Sequence, residues 1–247
     1  MKKLVFCHGL PYNKSFFMPL ILSLEAFYGV KSLTNSISLA DFQQDKSTSS
    51  TEDNSFVFTE GAENQIEIIN LDLGYFGDKS VVGEDLDGAI CVGHGLGFNK
   101  LLDMDVKWSG IVGISTLLQF VSDTESSRKI ENLENSLNDD LPLALKSLVA
   151  RLSGGMVLNL PYPLADINLI KADVQYLKNT DSSAILKKKK LPTLFLHGGK
   201  DVWYNADNAK AQLADYNLIM NESASHILGY AQALWCREQI AKFIDSL

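Results

Sequence analysis

An apolar run of strand length, Ala89-Ile90-Cys91-Val92, passes without a break into Gly93-His94-Gly95-Leu96-Gly97 and then into a helix-like stretch at 98–104. Strand, glycine turn and helix in that order leave the backbone few alternatives. So tight a turn accepts only small residues on either side of its centre, because a Cβ there would strike the neighbouring backbone. Gly93 and Gly97 fill the flanking places, and Gly95 stands at the centre. Five further apolar runs have strand length: 4–7, 66–71, 110–114, 193–196 and 216–220. Their apolar character is continuous rather than alternating, as for strands buried on both faces of a parallel sheet. Helix-like stretches at 15–27, 205–214 and 230–244 lie among and after them, the last with Leu234, Ile240, Phe243 and Ile244 at helical spacing. The alternation predicts an α/β fold, with helices packed on a mainly parallel central sheet.

Two segments interrupt the alternation. Residues 31–65 are polar and rich in Ser, Thr, Asn and Gln. They read as a surface excursion with a short hairpin at 55–59. Residues 116–188 read as mostly helical, with apolar faces on 142–152 and 164–177. This stretch is expected to stand over the sheet edge as a helical cap, inserted into a core made of 1–115 and 189–247.

A chain of 247 residues, 46% of them apolar, can bury a sizeable core without help from disulfides or metal. Cys7, Cys91 and Cys236 are too few and too far apart for a disulfide framework or a metal cluster, so a reducing cytoplasm is expected, with no metal and no cofactor. The net charge of −8 argues against nucleic acid as a partner. No apolar run approaches the roughly 18 residues of a membrane span. The opening Met1-Lys2-Lys3 is followed by only four apolar residues before His8, too short for a signal peptide. A monomer is the expectation.

Four motifs carry candidate chemistry. In a strand–turn–helix of the 93–97 kind, the central residue is normally a nucleophile; here it is Gly95, which has no side chain to attack with. A phosphate cradle is the other use of such a turn. However, Gly-His-Gly-Leu-Gly-Phe lacks the Lys-Ser/Thr of a Walker loop, and Phe98 stands where a dinucleotide fingerprint needs its third glycine. His8-Gly9-Leu10-Pro11 directly follows the first strand, where a glycine turn lets backbone N–H groups face outward. Leu194-Phe-Leu-His197-Gly198-Gly199-Lys200-Asp201 runs from a strand into a turn that ends on an acid, and Ser223-Ala-Ser-His226 follows the last strand. Elbow, acid and histidine stand in the chain order of a Ser…Asp…His triad on a parallel sheet, at separations of 106 and 25 positions.

These motifs resemble those of the α/β-hydrolases, over nearly the whole chain. Within that superfamily the sequence resembles the carboxylesterases of biotin synthesis that demethylate pimeloyl-[acyl-carrier protein] methyl ester. The resemblance rests on Val5-Phe-Cys-His-Gly-Leu10, on Phe16-Phe-Met-Pro-Leu-Ile21 and on Leu71-Asp-Leu-Gly-Tyr-Phe-Gly77. It continues through the elbow, a cap of about four helices, Leu177-Lys-Asn-Thr-Asp181, Leu191 to Asp201, and the closing Ala224-Ser-His226-Ile-Leu-Gly-Tyr230. The resemblance implies that His226 is the general base, that Asp201 holds its tautomer, and that the backbone N–H groups of Leu10 and Leu96 form an oxyanion hole. Position 95 would hold the nucleophile. The pocket would be an apolar channel under the cap, with His8, Leu117, Leu118 and Phe120 against the substrate. A carrier-protein partner is acidic, and residues 141–190 sum to +5 against −13 for the rest of the chain. Half of those basic residues are the run 187–190, which precedes a strand and so falls at the far end of the sheet. Lys146 and Arg151, on one helix of the cap, are the better docking candidates.

Without the hydroxyl, an oxyanion hole and a binding pocket keep roughly 10³–10⁴-fold acceleration over water. A full enzyme reaches ~10⁶ or more. The expectation for this chain is therefore binding without turnover. Acid and base both remain, as they would where a serine has been replaced in an active ester hydrolase. The other readings are a natural acyl-ligand binder that does no chemistry, and a small-ester or C–C-bond hydrolase outside biotin synthesis. Ser115 follows the next strand and Cys91 lies inside its own, so neither can stand in for the missing serine.

Overall fold

Six parallel strands form one sheet in the order β2-β1-β3-β4-β5-β6 in a computed structural model that describes residues 2–28, 66–82 and 85–247. They are β1 (Lys2–Cys7), β2 (Ile66–Leu71), β3 (Ile90–His94), β4 (Gly110–Ile114), β5 (Thr193–Gly198) and β6 (Leu218–Asn221). All five residues of β3 and of β4 are buried, which accounts for their unbroken apolar runs. Strand β3 runs past the 89–92 pattern because Gly93 and His94 still pair with Gly113 and Ile114 of β4. The last strand starts at 218 rather than 216, since the Tyr216 amide is used to close a turn on Leu213. The hairpin expected at 55–59 lies outside the described residues.

From β1 the chain moves to β2 on one side and then to β3 on the other. The loops leaving β1 and β3 therefore lie side by side at the carboxyl edge of the sheet, where open parallel sheets take their ligands. Strand β3 feeds α2 (Leu96–Leu102) through the glycine turn. A Cβ on Gly93 would sit 2.2 Å from the Phe98 Cα, and one on Gly97 would sit 2.3 Å from the carbonyl oxygens of Cys7 and His8. Both glycines are thus required by backbone approach. At the other end of the chain, α1 (Met18–Tyr28) packs against α9 (Ala233–Asp245), which is preceded by the short α8 (Leu228–Ala231).

Between β4 and β5 come α3 (Thr124–Asp139), α4 (Leu141–Leu152), α5 (Ile167–Asn179) and α6 (Ser183–Lys189). Aspartates start the first three of these helices. Asp123 forms a capping box with Ser126, Asp140 accepts from the Leu143 amide with Pro142 in the first turn, and Asp166 accepts from the Asn168 and Leu169 amides. The most polar of them, α3, buries only the stripe Ser126, Ile130, Leu133 and Leu137. An ion pair ties the insertion to the core: Lys100 of α2 reaches Asp173 of α5 at 2.7 Å, and the Tyr75 hydroxyl donates to the same carboxylate at 2.7 Å. Helix α6 carries three of the four lysines of 187–190 just before β5, at the amino end of the sheet. Among the described residues no helix is long and apolar enough to cross a membrane.

Candidate active site

Main-chain bonds hold the turn at 95 in place. The Gly95 amide donates to the Ile114 carbonyl at 3.1 Å, and the Thr116 hydroxyl donates to the Gly95 carbonyl at 2.9 Å. Gly95 takes φ +50° and ψ −126°, a region that costs a side-chain-bearing residue about 1–3 kcal/mol. Unlike its two glycine neighbours, it has space beside it. A Cβ built there meets nothing closer than the Tyr204 ring and hydroxyl at 3.7 Å and the His226 Nε2 at 3.8 Å.

Asp201 and His226, which leave β5 and β6, meet above this turn. His226 Nδ1–H donates to Asp201 Oδ2 at 2.8 Å, with His226 and Asp201 both buried. That bond fixes the proton on Nδ1 and leaves the Nε2 lone pair directed toward position 95. The other oxygen of Asp201 accepts the Trp203 and Tyr204 amides at 2.8 and 2.9 Å. Burial would raise the Asp201 carboxyl, but the facing His226 and the amide bonds outweigh it and hold the group below the ordinary carboxylate range. Asp201 is therefore ionised at neutral pH.

Three buried groups missed by sequence reasoning support this pair. His94 Nε2–H donates to the His226 carbonyl at 3.1 Å, and its ring lies 4.6 Å from the His226 ring. Burial, and then the charge of His226, push His94 well below its ordinary value, so it stays neutral. His197 Nε2–H donates to the Tyr204 carbonyl at 2.9 Å and so holds the 201–204 turn from below. Tyr204 lies with its ring 5.1 Å from that of His226 and keeps its phenol proton, since burial and the Asp201 charge both raise it. The available signal was local: Trp203 and Tyr204 come two and three residues after an aspartate whose carboxylate caps its own turn.

The cavity over Gly95 is walled by Leu10 and Leu96 from the core, by Leu148 of α4 and Leu177 of α5, and by Trp203, Tyr204 and His226. Its walls are mostly apolar, but it encloses only about 10 Å³. That is room for one water molecule and not for an acyl chain. The expected open channel is therefore shut, because Leu148 and Leu177 close down on the turn. Leu117 and Phe120 line a separate, polar-walled cavity of about 230 Å³ on the other side of Trp203, and Phe120 stacks on Trp203 at 5.0 Å. Leu118 is buried and lines neither cavity. His8, expected against substrate, has its ring committed elsewhere: Nδ1–H donates to the Gly9 carbonyl at 3.0 Å, and Nε2 accepts the Leu73 amide at 3.0 Å. Lys146 and Arg151 are exposed on α4, the helix whose Leu148 reaches the cavity. Ser115 and Cys91 are fully buried and line neither cavity. Among the described residues no cluster of His, Cys, Asp and Glu is arranged to hold a metal ion.

No protein-family model and no curated protein sequence matches the chain. Solved structures do match along nearly its whole length. A hydrolase from Oleispira antarctica superposes with a TM-score of 0.72 at 12% identity, covering 100% of this chain and 92% of its own. A bromoperoxidase from Bacillus anthracis gives 0.69 at 14% identity, and an esterase from Exiguobacterium antarcticum 0.68 at 14% identity. Each of these two covers 99% of this chain and 92% of its own. The fold is thus that of the α/β-hydrolases: a parallel central sheet with helices about it, and helices inserted between two of its strands.

Proposed function

We propose that this chain takes a carboxylic ester at the Gly95–His226 end of the sheet and carries the acid–base half of an ester hydrolase, while Gly95 closes the acyl-enzyme route. One observation carries the reading. His226 Nε2, backed by Asp201 at 2.8 Å, points at a place 3.8 Å away where a side chain at position 95 would begin. A serine Oγ one bond beyond that Cβ comes within hydrogen-bond reach of the base. A buried ionised carboxylate is costly unless a partner offsets it, and the pair does nothing for a site that only encloses apolar ligand. The esterases among the structural neighbours support the ester class. The backbone amides of Leu10 and Leu96, beside Gly95 in the cavity wall, are the proposed oxyanion donors.

The substrate we propose is pimeloyl-[acyl-carrier protein] methyl ester. Support comes from the motif resemblance and from Lys146 and Arg151, exposed on the helix that covers the site, as docking groups for an acidic carrier. Three free, buried cysteines fit a cytoplasmic protein, and we propose that it acts as a monomer. Since the cavity holds no acyl chain, binding requires Leu148, Leu177 or Trp203 to move aside.

Intact-mass measurement after exposure to a fluorophosphonate tests the reading. The Gly95→Ser variant is expected to gain one adduct and the parent none. A Gly95→Ser variant that stays unlabelled while folded would sink the proposal. Rescue of a biotin auxotroph lacking its own esterase by the Gly95→Ser gene then tests the substrate.

A further inference from the structure

We propose that a water molecule seated against Gly95 acts as the nucleophile, giving the chain a slow, direct ester hydrolysis that forms no acyl-enzyme. The inference rests on the ester reading above and goes beyond it. The cavity of about 10 Å³ is about the smallest that admits a single water, and Gly95 forms part of its wall. Polar partners stand on its walls as well. The His226 Nε2 lone pair and the Tyr204 hydroxyl lie 3.8 and 3.7 Å from the point where a Cβ on Gly95 would be. A water near that point is within hydrogen-bond reach of both once it shifts by less than an ångström or so. The Tyr204 phenol, held protonated by burial, can donate to the water, and His226 accepts from it. The turn that exposes a serine in related folds here exposes bare backbone, and the base is aimed at whatever occupies the space.

The step balances with ester and water alone. The water oxygen forms a bond to the carbonyl carbon while one of its protons passes to His226 Nε2. The carbonyl π pair moves onto its oxygen, against the Leu10 and Leu96 amides. Collapse of this intermediate breaks the C–O bond to the alcohol, which departs with the proton from His226. One carboxylic acid and one alcohol result, and nothing is oxidised or reduced. General-base assistance of this kind contributes typically about 10²–10⁴-fold. The route therefore stays well below that of a serine-bearing form.

The test follows hydrolysis of p-nitrophenyl acetate, a small ester that enters once Leu148, Leu177 or Trp203 moves aside, by four folded proteins. These are the parent, His226→Asn, Gly95→Ala and Gly95→Ser, each checked by circular dichroism and thermal melting. The parent is expected to exceed His226→Asn by about 10²-fold or more, with no initial burst and no acyl adduct by mass. Gly95→Ala should fall to the His226→Asn level, because its methyl group takes the place of the water. Gly95→Ser should exceed all of them and show the adduct. A parent no faster than His226→Asn, or a Gly95→Ala variant as fast as the parent, overturns the water route while leaving the ester reading intact if Gly95→Ser is active. An inert Gly95→Ser variant removes the ester reading itself. Should Gly95→Ala not fold, the comparison of parent with His226→Asn decides alone.

Discussion

The turn at 93–97 and the two loops that bring in Asp201 and His226 meet at one point of the sheet edge, yet they are built on opposite terms. The turn has a tight shape set by close backbone approach and carries no side chain at its centre. A Cβ added to Gly93 or Gly97 would fall 2.2–2.3 Å from the backbone of Phe98, Cys7 or His8, while one added to Gly95 between them would meet nothing closer than 3.7 Å. The loops carry polar side chains and the bonds that aim them: Asp201 accepts three donors, and His94 and His197 hold the backbone at His226 and Tyr204. Shape in the first region follows from backbone packing, which leaves open space but a strained backbone at its centre. The second region is organised by side chains, around the buried Asp201 and His226 at 2.8 Å.

The strongest way to break this contrast is to add a hydroxyl at position 95 and then disable the loops. In a Gly95→Ser background, Asp201→Asn is expected to cut kcat by about 10⁴-fold, since the amide favours the wrong histidine tautomer. Steady-state kinetics on a short acyl ester measure it. A loss under tenfold would mean that the loops do not drive the chemistry.

Next in size is the turn itself. Gly97→Ala places a Cβ 2.3 Å from two carbonyl oxygens and should cost more than about 4 kcal/mol, or prevent folding. Gly95→Ala has open space and carries only the backbone strain, about 1–3 kcal/mol. Chemical denaturation of the two side by side sharpens the comparison; equal losses would contradict it.

A smaller effect probes how the insertion is held over the site. Asp173→Asn removes the charge that meets Lys100 at 2.7 Å but keeps an acceptor for the Tyr75 hydroxyl. Because Lys100 is about a third exposed, solvent screens the pair, and a loss of about 1 kcal/mol is expected. For a chain of this size that is ~2–4 °C in Tm.

Much of this arrangement was legible in the sequence. The glycine turn, the six strand-length runs and the order of position 95, Asp201 and His226 follow from local rules: close approach, burial on both faces, and turn chemistry. What was not legible depends on how separate segments settle against one another. Leu148 and Leu177 carry helical periodicity and nothing more, and only their packing shows that they shut the cavity that the sequence reading expected to be a channel. His8 looked free after a strand, but Leu73, some 65 residues on, claims its ring nitrogen. Tyr204 is one aromatic among many until the capped turn of Asp201 sets it beside His226.

The most direct measurement is kcat/KM of the parent and of Gly95→Ser on methyl pimeloyl-carrier-protein ester and on a generic short acyl ester. Adding the hydroxyl is predicted to raise the rate on at least one of them by about 10²-fold or more, with the carrier-bound ester favoured. A folded Gly95→Ser protein that leaves both esters untouched would contradict the account, because a hydroxyl placed within reach of the Asp201–His226 pair would then have no nucleophilic power.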